Sequence, residues 1–148
     1  MTNDPGITSA RDGLQGMAWN VVGHTYTPKM LSENAFIWHA QIPDGTFVPP
    51  HIHPTQDEWI MMLDGNLEVE FGEEVHRAGA GDLVRMPRGL AHGIFNRSGA
   101  AATCVFGVAP ARKLFELFTK LDGLTDPDEL VRISAEHEVD FLPPKDAQ

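Results

Sequence analysis

From position 15 to about 108 the chain breaks into short apolar segments separated by glycine and proline. Within them the hydrophobic positions alternate. Leu67, Val69 and Phe71 share one side while Glu68 and Glu70 share the other, a period of two that belongs to a half-buried strand. The pattern predicts strands over 17–25, 35–42, 59–63, 67–71, 83–86, 92–95 and 101–108, with a turn at Asp64-Gly65-Asn66. Many short strands with regular turn signals predict an all-β sandwich or barrel. The period then changes. Over 111–122, Leu114, Leu117, Phe118 and Leu121 form one helical stripe, with Gly123 placed as its C′ residue. A second helix is predicted from Asp126 as N-cap, with Pro127 at N1 and Glu129 at N3, to about residue 136. An extended tail over 141–144 follows.

This pattern divides the chain into a flexible N-terminal arm (1–14), a barrel (15–110) and a C-terminal helical extension (111–148). The two short helices carry too little apolar surface to stand alone, so they are expected to pack on the barrel or on a partner subunit. No internal repeat or low-complexity tract is visible.

At 148 residues the chain fits one domain. Its 42% hydrophobic and 22% charged content is that of a soluble globular protein. The formal charge of −10 opposes binding to nucleic acid or anionic membranes. Cys104 is the single cysteine, so no internal disulfide is expected, and its apolar neighbours predict a buried, inert thiol. Neither a signal-peptide pattern nor an apolar run long enough to span a membrane is seen, which makes a cytoplasmic location the expectation.

The candidate chemistry lies in GTFVPPHIHPTQDEWIMMLDG, residues 45–65. His51 and His53 are two apart, so on extended backbone both imidazoles project to one side. The chain then bends through Pro54-Thr55-Gln56-Asp57, and Glu58 can return beside them. His92, after the turn Pro87-Arg88-Gly89, can supply a further donor from elsewhere in the sequence. Three imidazoles and a carboxylate suit Fe, Mn, Co, Ni, Cu or Zn, and fit Ca or Mg poorly. Bonds to nitrogen would be about 2.0–2.2 Å. With a six-coordinate ion two positions stay open, and the site carries about one net positive charge, favouring enolate, phenolate or carboxylate oxygens. A lone histidine on an apolar strand is more often structural than a ligand; it is the set that points to a metal.

Both stretches resemble the cupin superfamily. Gly45, His51, His53, Glu58 and Gly65 fit its first motif, G-x5-H-x-H-x4-E-x6-G. Gly81, Pro87, Gly89, His92 and Asn96 fit its second, G-x5-P-x-G-x2-H-x3-N. The resemblance implies a double-stranded β-helix, or jelly-roll barrel, followed here by two short C-terminal α-helices. It also implies one divalent transition metal on His51, His53, Glu58 and His92, with Glu58 either a ligand or a free base.

Among cupins the chain resembles small bacterial quercetin-dioxygenase-like proteins. That implies a dioxygenase acting on a small enolic or phenolic substrate, with Glu58 catalytic. The alternatives are a non-oxidative polyketide cyclase or isomerase, and a binding protein without chemistry. A homodimer is expected by analogy. Phe36, Trp38, Phe47, Ile60, Met62, Ile94 and Phe106 are the candidates to line the substrate cavity. His39 is expected to face out or be structural, and His24, His76 and His137 to lie at the surface or in turns. Asn96 is expected to be a hydrogen-bonding structural residue. Arg85 and Arg88 are read as a solvated turn that could also steer an anionic substrate.

Overall fold

The computed structural model describes residues 4–143 as two antiparallel sheets and a C-terminal helical pair. The strands are β1 (Trp19–Val21), β2 (His24–Leu31), β3 (Phe36–Ile42), β4 (Phe47–Ile52), β5 (Asp57–Asp64), β6 (Asn66–Phe71), β7 (Glu74–Gly79), β8 (Leu83–Met86), β9 (His92–Phe95), β10 (Ala102–Ala109) and β11 (Asp140–Phe141). The helices are α1 (Leu114–Leu121) and α2 (Pro127–Glu136). One sheet runs β1-β2-β3-β10-β5-β8 and the other β11-β4-β9-β6-β7. This is the expected double-stranded β-helix with two helices at its C-terminal end.

Alternation builds the core. Phe36, Trp38, Ala40 and Ile42 of β3, Glu58, Ile60 and Met62 of β5, and Ala102, Cys104, Phe106 and Val108 of β10 all turn inward. Leu67 and Val69 of β6 and Ile94 of β9 meet them from the opposite sheet. Strand β10 is flanked by β3 and β5, so Phe106 lies beside both Trp38 and Ile60 in register. Gly65 carries the chain from one sheet to the other at φ +79°, and a Cβ there would sit 2.8 Å from the Ala101 carbonyl. That position has room only for glycine. Cys104 is buried, and burial pushes its thiol up to about 12, so it is an inert core residue.

Several elements differ from the sequence expectation. The strand predicted over 17–25 is two strands joined at Val22-Gly23, and β2 continues to Leu31 through Pro28. Proline normally argues against an inner strand. It is tolerated here because β1 pairs with β2 only as far as Tyr26, and the β2–β3 register shifts between Pro28 and Met30. Strand β4 contains Pro49 and Pro50 and likewise carries a register shift, between Val48 and His51. The polar β7 is an edge strand with most of its residues exposed, so it shows little apolar alternation. Of the extended tail, Phe141 pairs in β11, whereas Pro144 lies outside the described residues. Of the N-terminal arm, Thr8 Oγ1 donates to the Lys29 carbonyl at 2.8 Å, and Lys29 Nζ donates to the Ser9 and Asp12 carbonyls at 2.8 and 2.6 Å.

Helix α1 starts three residues later than the 111–122 expected and buries Leu114, Leu117, Phe118 and Leu121. Phe118 packs on Tyr26, Trp38, Phe36 and Trp19, with ring centroids 5.0–5.9 Å apart. The helix end is tied to the barrel. Asn20 N–H donates to Asp122 Oδ1 at 2.7 Å, and Gly123 N–H donates to the Asn20 carbonyl at 2.9 Å. Helix α2 is capped as expected, with Asp126 Oδ1 accepting from Asp128 N–H at 3.0 Å. No helix is long and apolar enough to cross a membrane among the described residues.

Candidate metal centre

The two sheets bring the four candidate ligands to one point inside the barrel. His51 of β4 and His92 of β9 are direct cross-strand partners. His53 follows β4 by one residue and remains on the same side. Glu58 comes from β5 in the facing sheet, where it pairs with Val108 and Met86. All four residues are buried, and one ligand atom from each lies within 4.8 Å of every other. The turn at Pro54-Thr55 between His53 and Glu58 is what lets the eight residues from His51 to Glu58 change sheets and still converge.

Hydrogen bonding orients each imidazole. His51 Nδ1 donates to the Pro49 carbonyl at 2.8 Å, His92 Nδ1 to the Leu90 carbonyl at 3.2 Å, and His53 Nδ1 to Gln56 Oε1 at 2.9 Å. With Nδ1 as the donor in each ring, every Nε2 keeps a free lone pair. His92 Nε2 lies 2.8 Å from Glu58 Oε1, and His53 Nε2 lies 3.5 Å from it. Neither Glu58 Oε1 nor His92 Nε2 makes a hydrogen bond of acceptable geometry. Lone pairs that face one another in a buried site need a cation between them. The donor set therefore fits a divalent transition metal.

Burial is the largest influence on Glu58 and opposes its ionisation, but His53, His92 and His51 outweigh it and bring the carboxyl down to about 2. Burial, then the neighbouring His92 and His53, lowers His51 to about 3. The glutamate is thus a carboxylate at neutral pH, and His51 is a neutral imidazole ready to ligate.

Gln56 is a functional residue that the sequence reading passed over. Its carbonyl oxygen accepts from His53, and its Nε2 donates to the Pro110 and Ala111 carbonyls at 3.0 and 2.8 Å. It is buried and ties a ligand to the start of the C-terminal extension. The only signal was its position three residues after His53, in a bend. Gln56→Leu removes the acceptor that orients His53, and a fall in metal affinity of about 10–100-fold is expected. Competitive titration against a chromogenic chelator measures it; unchanged affinity would show that Gln56 only supports the loop.

Three of the four candidate ligands, His51, His53 and Glu58, line an apolar cavity of 50 Å³ between the barrel and the C-terminal segment. Trp38, Ile94 and Phe106 line it, alongside Tyr26, Val48, Leu117, Phe118 and Phe141. Phe36, Ile60 and Met62 are buried in the surrounding core and do not line it. Phe47 is 50% exposed, stacks on Phe95, and lines a separate groove outside. The outward turn of β4 at this residue, ahead of its register shift, puts it there. Arg85 and Arg88 are exposed and do not reach the cavity. Asn96 is the structural residue expected, donating to the Ile42 and Ala100 carbonyls at 2.8 Å.

Two histidines expected at the surface are buried. His137 closes α2: its Nδ1 donates to the Ile133 carbonyl at 2.7 Å, and Nε2 accepts from Lys120 Nζ at 3.0 Å. His24 is turned inward by the Val22-Gly23 turn and sits 3.1 Å from the Tyr26 hydroxyl through Nδ1. His76 is exposed, as expected, and His39 is half-buried on the outer face of β3. Burial lowers His24 from 6.5 to about 4. The unfolded chain then binds the proton better, so this contribution to stability is intact above pH 6.5 and is lost as pH falls toward 4. Between pH 7 and pH 5 wild-type protein in chelator is expected to lose about 2 kcal/mol more than His24→Gln. Urea denaturation at the two pH values measures the difference, and parallel losses would contradict it.

Comparison with known proteins agrees with this architecture. Residues 38–108 match the family described as cupin domain. Over 85 residues the chain is 30% identical to the tetracenomycin polyketide synthase protein TcmJ of Streptomyces glaucescens, covering 57% of this chain and 57% of that protein. Over 76 residues it is 36% identical to germin-like protein 9-3 of Oryza sativa subsp. japonica, covering 47% of this chain and 36% of that protein. The chain thus spans little more than half of the first curated relative and about a third of the second. The crystal structure of an RmlC-like cupin from Shewanella frigidimarina superposes with a TM-score of 0.62 at 16% identity, covering 72% of this chain and 96% of that one. That likeness is one of fold.

Proposed function

We propose that this chain belongs to the cupin superfamily, a reading supported by the cupin-domain match over residues 38–108, and that it is a metal-dependent enzyme acting on a small enolic or phenolic substrate. The observation that carries the reading is the pairing of His51, His53, Glu58 and His92 with an apolar, aromatic-lined cavity that contains no lysine or arginine. A sugar phosphate or nucleotide would need lysine or arginine partners there besides the metal. A largely apolar ring or enol with one acidic oxygen would not.

A bound divalent transition ion supplies Lewis acidity that lowers the pKa of an enol or phenol and, if redox-active, access to dioxygen. The protein supplies the rest. His51, His53 and His92 are held in fixed tautomers by Pro49, Gln56 and Leu90. Glu58 is among the residues lining the cavity and is ionised, so its carboxylate can accept the proton of a substrate hydroxyl. Trp38, Phe106 and Phe118 give the cavity an apolar wall that excludes water from the proton transfer.

Oxidative cleavage by a dioxygenase is our first reading of the reaction. Non-oxidative cyclisation or isomerisation is the second, and the similarity to a polyketide synthase protein favours it over other non-oxidative chemistry. Oxygen separates them. Metal-loaded protein should consume dioxygen stoichiometrically with an enolic or phenolic substrate, and turn nothing over under strict anaerobiosis. Undiminished anaerobic turnover would exclude the dioxygenase and leave the cyclase or isomerase.

A further inference from the structure

A second depression lies outside the inner cavity. It is a groove of 510 Å³ lined by Asn20, Phe47, Pro49, Thr125, Val131 and neighbouring glycines. Three residues line both spaces: Val22, Leu130 and Phe141. They come from three separate elements, the β1–β2 turn, α2 and β11. The groove, like the cavity, has no lysine or arginine in its lining, and it has no carboxylate either. The exposed Phe47 and Val131 form part of its wall.

The three shared residues are partly buried side chains packed on the core where the two spaces meet. Phe141 belongs to a two-residue strand paired with β4, directly opposite His51, and its ring is 5.3 Å from that imidazole. Val22 sits at φ +48°, a conformation unfavourable for a β-branched residue. The inner cavity is too small for an aromatic ring to enter as it stands, because a drug-sized pocket measures about 300–1,000 Å³.

We infer that the outer groove and the inner cavity are two chambers of one substrate site, joined at Val22, Leu130 and Phe141, and that it admits flat, uncharged, largely apolar molecules. The oxygen-bearing edge goes inward to Glu58 and the histidines; the apolar remainder lies in the groove against Phe47 and Val131. The occupant is the substrate's own apolar part, because the groove continues into the space lined by the ligands and offers no charged partner to anything else. The inference deepens the proposed function and rests on it for the metal end, while the route itself does not depend on a metal.

The test uses Trp38, which lines the inner cavity and is buried. In a Trp19→Phe, Trp59→Phe background it is the single tryptophan reporter. Phe141→Ala or Leu130→Ala should raise acrylamide quenching of Trp38 at least about fivefold, with far-UV circular dichroism unchanged. Unchanged quenching in both variants would overturn the route. In the same background, in metal-free protein, 1-naphthol should quench Trp38 at least about tenfold more tightly than 1-naphthyl phosphate, whose dianion finds no lysine or arginine in either chamber. Equal binding, a preference for the phosphate, or no binding of 1-naphthol would overturn the proposed class. Cobalt(II) loading of the same protein separates the two readings: failure to bind cobalt sinks the metal centre, whereas the quenching results still decide the route. A concentration-dependent loss of quenching that tracks dimer formation would assign the groove to a second copy of the chain and overturn its role as a substrate chamber.

Discussion

Replacing Glu58 with glutamine is expected to lower turnover by about 10²–10⁴-fold while leaving the barrel folded. Glutamine nearly matches the side chain in size but cannot accept a proton and is a poor ligand. Its neighbours change too. In wild-type protein Glu58 Oε1 is 2.8 Å from His92 Nε2 and 3.5 Å from His53 Nε2. With the carboxylate gone, the three imidazoles lose the negative charge that faces them inside the protein. Metal affinity should therefore fall together with turnover. The informative comparison is turnover per bound metal. If that ratio also collapses, Glu58 moves protons as well as holding the ion. If it stays constant, Glu58 is a ligand alone. Wild-type turnover in Glu58→Gln would remove the residue from the mechanism.

Phe118→Ala should destabilise the fold by roughly 3–5 kcal/mol. Phe118 is the point where α1 meets the barrel, buried against Trp19, Tyr26, Phe36 and Trp38. It also lines the cavity beside the metal ligands. Removing the ring leaves a void that four rigid aromatic neighbours cannot collapse to fill. Chemical denaturation measures the loss. Phe118→Leu, which keeps most of the apolar contact, should lose less than half as much. A loss below about 1 kcal/mol for the alanine variant would mean that α1 is a removable attachment and not part of the core.

How far the sequence could be read follows from what kind of signal each feature leaves. The ligands were legible because their spacing is itself geometric. Two residues apart on extended backbone gives one face, and the bend at 54–57 returns Glu58 to it; the two motifs then named the fold. Strands with inward apolar positions, such as Leu67 and Val69, were legible for the same reason. What was missed lacks such periodicity. Strand β7 lies at a sheet edge and has one buried residue, Ala78. Strands β2 and β4 carry prolines at positions made tolerable only by register shifts that pairing partners decide. His24 and His137 were misplaced because burial of a single histidine depends on a turn or a neighbouring helix, and neither leaves a pattern around the residue. Gln56 was invisible for a related reason. Its partners, Pro110 and Ala111, are more than fifty positions away. The cavity is a property of how α1, α2 and β11 lie on the barrel, which local periodicity does not encode.

The central claim is that four side chains from two facing sheets grip one metal ion. The most direct measurement is metal stoichiometry by elemental analysis after anaerobic purification, with cobalt, nickel, iron, manganese, copper and zinc each offered to chelator-treated protein. The account predicts one ion per chain for at least one of these metals. It also predicts loss of that ion in His51→Ala/His92→Ala protein that retains its β-sheet circular dichroism. Folded wild-type protein that takes up none of the six metals, or a double variant that binds as tightly as wild type, would contradict it.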